Sequence, residues 1–250
     1  MISTQITPKK RNKLIGAVHI NEASFFVCKN NEGKISIKNR CEDYIRDMIA
    51  LNPTIERLLR NYKIKLKINK ETLNELSAGH MNETCKVAIG IYSKLPESLQ
   101  KKVEKTTLKE ACILHDLGKS LIPLKVLNKP AKLNARERKI MNIHSRLGYE
   151  LLKTQEIKED TLSLVKYHHQ NLKHSGYPVV VPNNNISDIG VQIISTADKY
   201  SALREARVYR KKLTRLQSLL IIYKEVLEGK ILKEVFDALV NYASEFDNVA

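Results

Sequence analysis

Seven histidines are few for a chain of 250 residues, yet five of them fall on the apolar faces of prospective helices. Leu73, Leu76, His80, Thr84, Val87 and Ile91 form one stripe at helical spacing; Leu108, Ala111, Cys112 and His115 form another, with Asp116 adjoining. Ile140, His144, Leu147 and Leu151 repeat the pattern, Val165 leads to the adjacent pair His168 and His169, and Ile194, Ala197, Asp198 and Ser201 add a second carboxylate. Taken singly, a histidine on an apolar face is more often a hydrogen-bonded core residue, and a buried aspartate more often a cap or ion-pair partner. Taken together, five imidazoles and two carboxylates are very costly to bury without partners. A metal cluster satisfies all of them at once. Mixed imidazole and carboxylate donors suit iron, manganese or zinc rather than calcium, and a carboxylate can bridge two ions where an imidazole cannot. Two ions roughly 3.5–4 Å apart acidify a shared water and clamp the attacking and leaving oxygens of a phosphoryl displacement. The chemistry expected is phosphoester hydrolysis.

The elements that must place these residues are mostly helices. Apolar periodicity predicts helices over 73–95, 99–117, 134–152, 158–169, 189–209, 218–228 and 231–246. Asn134 with Glu137 three residues on is a capping-box start. Earlier in the chain, KLIGAVHI, ASFFVCKN and, after an NEG turn, KISIKN alternate or run apolar with β-branched and aromatic residues, which predicts two or three strands. From Glu42 the spacing turns helical, with Tyr44, Ile45, Met48, Ile49 and then Ile55, Leu58 and Leu59 on successive turns. Pro178 to Ser187 is a Pro- and Asn-containing loop. The expected fold is mainly α, with a small basic α+β region over residues 1–70 and an all-helical domain over residues 71–250.

A chain with 42% hydrophobic and 28% charged residues is globular rather than disordered. No apolar run approaches the roughly 20 residues that span a bilayer, and the start MISTQITPKKRNK lacks the apolar segment of a signal peptide. A cytoplasmic location is expected. Cys28, Cys41, Cys85 and Cys112 form no CxxC pair and read as reduced, mostly buried thiols. The net charge is +16, and residues 1–70 hold 15 Lys/Arg against 6 Asp/Glu. Such a surface attracts nucleic acid, anionic membrane or a phosphorylated small molecule, or simply keeps the protein soluble, and charge alone does not choose.

The motifs carrying these residues have a known likeness. His115-Asp116 in ILHDLGKS, with His80 upstream and Asp198 downstream, resembles the H…HD…D pattern of the HD superfamily of metal-dependent phosphohydrolases. More narrowly, LHDLGKSLIPLKVLNKPAKLN, then His144, then HHQNLKHSGYP and TADKYSALREARVYRKKL resemble the HD-GYP subfamily, whose members hydrolyse cyclic di-GMP. The likeness covers roughly residues 73–245 and is specific, because several motifs occur in order. It implies an HD-type helical bundle with two divalent metal ions, iron or manganese first. One ion would be held by His80, His115, Asp116 and Asp198, the other by His144, His168 and His169, with Asp116 bridging and a bridging hydroxide as nucleophile. Lys119 would meet the scissile phosphate or that hydroxide. Arg207, Arg210 and Lys211 match the segment that meets phosphates and guanines, a task suited to the planar fork of arginine. Tyr177 would line the pocket as a stacking surface, while Gly176 and Pro178 fit a loop-shaping role equally well. Some members hold a third ion through a Glu one turn before the first histidine; that position is Leu76, so two ions are expected.

The chain also departs from the family. Gln170, Lys173 and His174 stand where Glu and an Asp-Gly pair are usual, which shifts charge beside the substrate, and Ser201 replaces an aspartate. The reading is a phosphodiesterase of a cyclic dinucleotide, cyclic di-GMP first. The alternatives are a nucleotide- or protein-binding receptor that has lost turnover, and a hydrolase of another cyclic dinucleotide or nucleotide. A protein partner at the N-terminal region or the Gly-Tyr-Pro loop and a homodimer are compatible with it, whereas nucleic acid is not an expected partner.

Overall fold

The computed structural model describes residues 13–20, 23–29, 35–39, 42–69, 71–72, 79–179, 188–206 and 211–245. Strands β1 (Lys13–Ile20), β2 (Ala23–Lys29) and β3 (Ile35–Asn39) form an antiparallel meander in chain order, with Lys13 opposite Lys29 and Phe25 opposite Asn39. The helices are α1 (Glu42–Leu51), α2 (Pro53–Asn61), α3 (His80–Lys94), α4 (Glu97–Gln100), α5 (Lys105–Leu114), then a 3-10 turn (Leu117–Leu121), α6 (Leu124–Leu127), α7 (Ala135–Asn142), α8 (His144–Leu152), α9 (Glu159–Tyr167), α10 (Asp188–Arg204), α11 (Arg215–Leu227) and α12 (Lys233–Glu245). The molecule is mainly helical, with the small sheet at its start. None of the described helices is long and apolar enough to cross a membrane.

Several helices break where apolar spacing predicts continuity. The stretch 99–117 is α4, a turn and α5: Val103 points into the core and Glu104 turns extended, so a helix running straight through cannot bury both ends. The stretch 134–152 divides at Ile143 into α7 and α8, and the stretch 189–209 leaves helix after Arg204. The first helix is described from His80, and Leu73 and Leu76 lie outside the described residues. The capping box is present: Asn134 Oδ1 accepts the Glu137 N–H at 2.9 Å, and Glu137 Oε2 accepts the Asn134 N–H at 2.8 Å.

A single apolar cluster runs from Leu14 of β1 through Ile45, Met48, Ile55 and Leu59 to Leu108, Leu147, Leu151, Leu164 and Ile193, so the core continues across residue 70. Leu14 is fully buried; its N–H donates to Gln155 Oε1 and its carbonyl accepts from Glu156 N–H, which docks β1 on the loop between α8 and α9. Asn52 turns extended because Pro53 disfavours helix in the residue before it. Its Oδ1 caps α2 at Thr54 N–H, and its Nδ2 donates to Glu150 O and Oε2 at 2.8 Å each. One buried amide thus ties the N-terminal helices to α8, the helix that begins with His144. Cys85 and Cys112 are buried free thiols, and the side chains of Cys28 and Cys41 lie outside the described residues.

Candidate metal centre

A helix end leaves its last four carbonyls without intrahelical partners, and that need orients three of the histidines. His115 caps α5 and donates Nδ1–H to Cys112 O at 2.8 Å; His144 donates to Met141 O, in the last turn of α7, at 2.7 Å; His168 caps α9 and donates to Val165 O at 2.7 Å. A carbonyl can only accept, so Nδ1 carries the proton in each ring and Nε2 is left to face the interior. The break at Ile143 now has a reason: it sets His144 one turn beyond the Met141 carbonyl. His80 opens α3, and its Nδ1 meets a side chain instead, Glu205 Oε1 at 2.9 Å, just past the end of α10. Glu205 is absent from the residues marked by apolar periodicity. Its one sequence signal is a carboxylate two helical turns after Asp198.

The Nε2 atoms converge. That of His144 lies 3.2 Å from those of His168 and His169. His80, His115 and Asp116 form a second group whose donor atoms all lie within 4.8 Å of one another, as do those of the three-histidine group. Asp116 stands between the groups. Its Oδ2 is 3.3 Å from His115 Nε2, and its Oδ1 is 3.3 Å from His144 Nε2 and 4.0 Å from His168 Nε2. Asp198 reaches both groups, with Oδ1 2.7 Å from His80 Nε2 and 3.8 Å from His115 Nε2, and Oδ2 3.7 Å from His169 Nδ1. His115 Nε2 and Asp116 Oδ1 are buried without a hydrogen-bond partner. Orphaned donor atoms, facing imidazole lone pairs and a carboxylate with one oxygen toward each group fit two cations of the iron, manganese or zinc type.

The two groups differ electrostatically. Burial opposes the charge on His115, but Asp116 and Asp198 outweigh it and push the imidazole up to about 10. Burial likewise opposes His80, and its hydrogen bonds to Asp198 and Glu205 carry it up to about 9. Burial, reinforced by neighbouring imidazoles, pushes His168 well down and His169 to about 3. Both carboxylates are held well below the usual range: burial raises them, and Lys119 and His115 around Asp116, or His115 and His80 around Asp198, more than reverse that.

Raised imidazoles stay protonated at neutral pH; their contribution to stability is full below about 6.5 and is lost as pH climbs through about 9 and about 10. A metal entering the His80–His115 group at pH 7 therefore displaces protons, and its apparent affinity rises with pH toward those values. Calorimetric titration of metal-free protein with Mn²⁺ in two buffers of different ionisation heat should reveal that release. Buffer-independent heats would rule it out.

The remaining expected residues are placed as follows. Lys119 lies in the 3-10 turn with Nζ 2.5 Å from Asp116 Oδ2. Gly118, in the same turn, is not among the described positive-φ residues. It is needed because a Cβ there would lie 2.0 Å from the His144 carbonyl oxygen. The Tyr177 ring packs over His169 at 4.5 Å between centroids and approaches His144 at 6.2 Å. The Gly-Tyr-Pro turn folds back so that Tyr177 N–H meets His169 O, and a Cβ on Gly176 would lie 2.0 Å from that same oxygen. Gln170, in the place of an expected acid, is buried and closes this turn by accepting the Gly176 N–H and donating to Pro178 O. Lys173 and His174 are exposed. Lys211 is exposed, whereas Arg207 and Arg210 lie outside the described residues. A cleft of about 620 Å³ lined by Glu83, Lys86, Arg204, Glu205, Lys212 and Arg215 among others opens beside the His80 group.

Over residues 66–232 the sequence matches the HD domain family. It is 33% identical over 143 residues to the cyclic di-GMP phosphodiesterase response regulator RpfG of Xanthomonas campestris pv. campestris, covering 56% of this chain and 37% of that protein. It is 31% identical over 134 residues to the 3′3′-cGAMP-specific phosphodiesterase 1 of Vibrio cholerae, covering 54% of this chain and 31% of that protein. The chain thus spans about a third of the length of these relatives. The fold resembles the crystal structure of the HD domain of the L. monocytogenes phosphodiesterase PgpH, with a TM-score of 0.50 at 15% identity over 84% of this chain and 99% of that one.

Proposed function

The chain belongs to the HD domain family, and from that premise we propose that it is a metal-dependent phosphodiesterase that opens a cyclic dinucleotide, cyclic di-GMP first. The observation that carries the reading is the pair of donor groups joined by one buried carboxylate, Asp116. His80, His115, Asp116 and Asp198 would hold one divalent ion, iron or manganese, and His144, His168 and His169 a second, with Asp116 shared. When bound, such a pair supplies an acidified water and positive charge toward the phosphate oxygens.

The chain's own groups supply the rest. Lys119 keeps its ammonium at Asp116 while remaining 22% exposed, so it faces both the donor groups and the entering phosphate. A fixed cation there opposes the negative charge that builds on the phosphoryl oxygens. Glu205 holds His80 by Nδ1 and so directs Nε2 inward, the orienting role a carboxylate plays behind a ligating histidine. The Tyr177 phenol is pushed up first by burial and then by Asp198 and Asp116, so it keeps its proton and offers a ring face and a donor beside His169. Arg207, Arg210 and Lys211 are the proposed contacts for phosphates and bases. Residues 1–70 are read as a basic module on the helical domain.

Relatives named for cyclic di-GMP and for 3′3′-cGAMP support the cyclic dinucleotide class and make both nucleotides arms of the test. Protein purified under reducing conditions and loaded with iron or manganese should convert at least one of them to a linear product. Loaded protein that binds the nucleotides without cleaving them is a receptor, and the hydrolase reading then fails. Within the same assay, Lys119→Met should keep its metal and lose turnover by about 10²–10³-fold, the usual effect of removing one preorganised charge-stabilising group. Unchanged turnover in that variant removes Lys119 from the chemistry.

A further inference from the structure

Helix α11 departs from the usual plan of a surface helix, which is apolar on one face. Its inner side sets Ser218 and Ile222, both fully buried, and the half-buried Leu219 and Val226 toward the core. Its outer side carries Leu216, Leu220, Tyr223 and Leu227, exposed by 66, 52, 42 and 70%. These four recur at i, i+4, i+7 and i+11, alternating steps of four and three residues, so they form one narrow stripe along the helix. That is the spacing of a coiled-coil seam. A helix apolar on both sides is ordinarily covered on both. The stripe contains none of the residues of the candidate metal centre, and the proposed activity leaves it without a use.

We propose that this stripe pairs with the same stripe of a second copy, the two α11 helices lying antiparallel across a two-fold axis. Such a pairing is self-complementary: Leu216 meets Leu227 of the second copy and Leu220 meets its Tyr223, so all four side chains are covered at once. The exposed parts of the four amount to about 400 Å² per copy, and with the flanking Gln217 and Lys224 the pair approaches the roughly 1,000 Å² that a specific interface requires. The helix dipoles favour the antiparallel sense: the partly positive N-terminal end of one α11 comes to lie beside the partly negative C-terminal end of the other. The stripe itself holds no cation, which suits a like apolar surface and not a polyanion.

Sedimentation equilibrium of the full chain should give a mass of twice 28.6 kDa. Leu220→Glu and, separately, Leu227→Lys should weaken the dimer at least tenfold, with helical content and melting temperature unchanged because both positions face solvent in the monomer. Orientation has its own readout: mixing Leu216→Cys with Leu227→Cys chains should give a disulfide-linked pair, and neither variant alone should. A wild-type chain that stays monomeric at high micromolar concentration overturns the proposal, whatever else the stripe then binds. So does a dimer that survives both charged variants. The inference is independent of the proposed hydrolysis, since none of these measurements depends on turnover.

Discussion

Asp116→Ala should lose both its metal and its turnover, the latter by about 10³-fold or more, since the several kcal/mol that metal ions contribute to a phosphoryl transfer vanish with them. The expectation rests on the carboxylate's position between the donor groups, one oxygen toward His115 and the other toward His144 and His168. Its removal also strips the counter-charge from His115 and Lys119. Lys119 then loses its carboxylate partner beside the space a metal must enter, so the site is short of a ligand and of negative charge at once. Metal content by mass spectrometry and hydrolysis by chromatography measure the two losses separately, and circular dichroism checks that the helices persist. A variant that loses all its metal yet retains turnover would sink the metal-dependent mechanism. One that retains both would move the shared carboxylate elsewhere.

Gly118→Ala should destabilise the protein by about 3 kcal/mol or more, at the upper end of overpacking effects. The added Cβ would stand 2.0 Å from His144 O, 2.6 Å from Gly148 N and 2.9 Å from His144 C. All three are backbone atoms of α8, so no rotamer can relieve the clash. The 3-10 turn and α8 must separate, and that motion draws His144 away from Asp116. Urea unfolding should show the loss of stability, and metal titration a weaker three-histidine group. Gly148→Ala is the control, because its nearest contact is a side-chain atom, Val165 Cγ1 at 3.3 Å. There the helix-forming advantage of alanine offsets the tight contact, and stability should change by less than about 1 kcal/mol. Equal effects of the two substitutions would show that the approach of the turn to α8 is not what requires Gly118.

The candidate donors were legible because two signals coincide in them, a residue type that binds metal and a position on an apolar stripe. His168 and His169 mark the edge of that logic, since neighbours on one helix point about 100° apart. Both reach the site because α9 ends at them: His168 caps the helix, and His169 begins the bridge to Tyr177. The strands and the Asn134 cap were equally readable, being set by local alternation and by one side chain. Glu205 was not, because its partner His80 is 125 residues away and no local period marks the pairing. The breaks before Glu104 and at Ile143 were hidden for the same reason, as they answer to the core and to the Met141 carbonyl rather than to propensity. In α11 the apolar residues of the outer stripe look, in one dimension, like those of the buried face. Only burial distinguishes Leu220 from Ile222.

The carbonyls that hold His115, His144 and His168 belong to the last turns of α5, α7 and α9. Last turns are where helices fray first, and when one opens its carbonyl lets the ring go, freeing the imidazole to rotate and exchange tautomers. For an ion held by these rings, residence time should follow the opening rate of those turns, and slow amide hydrogen exchange at three helix termini is the expected signature of a filled site.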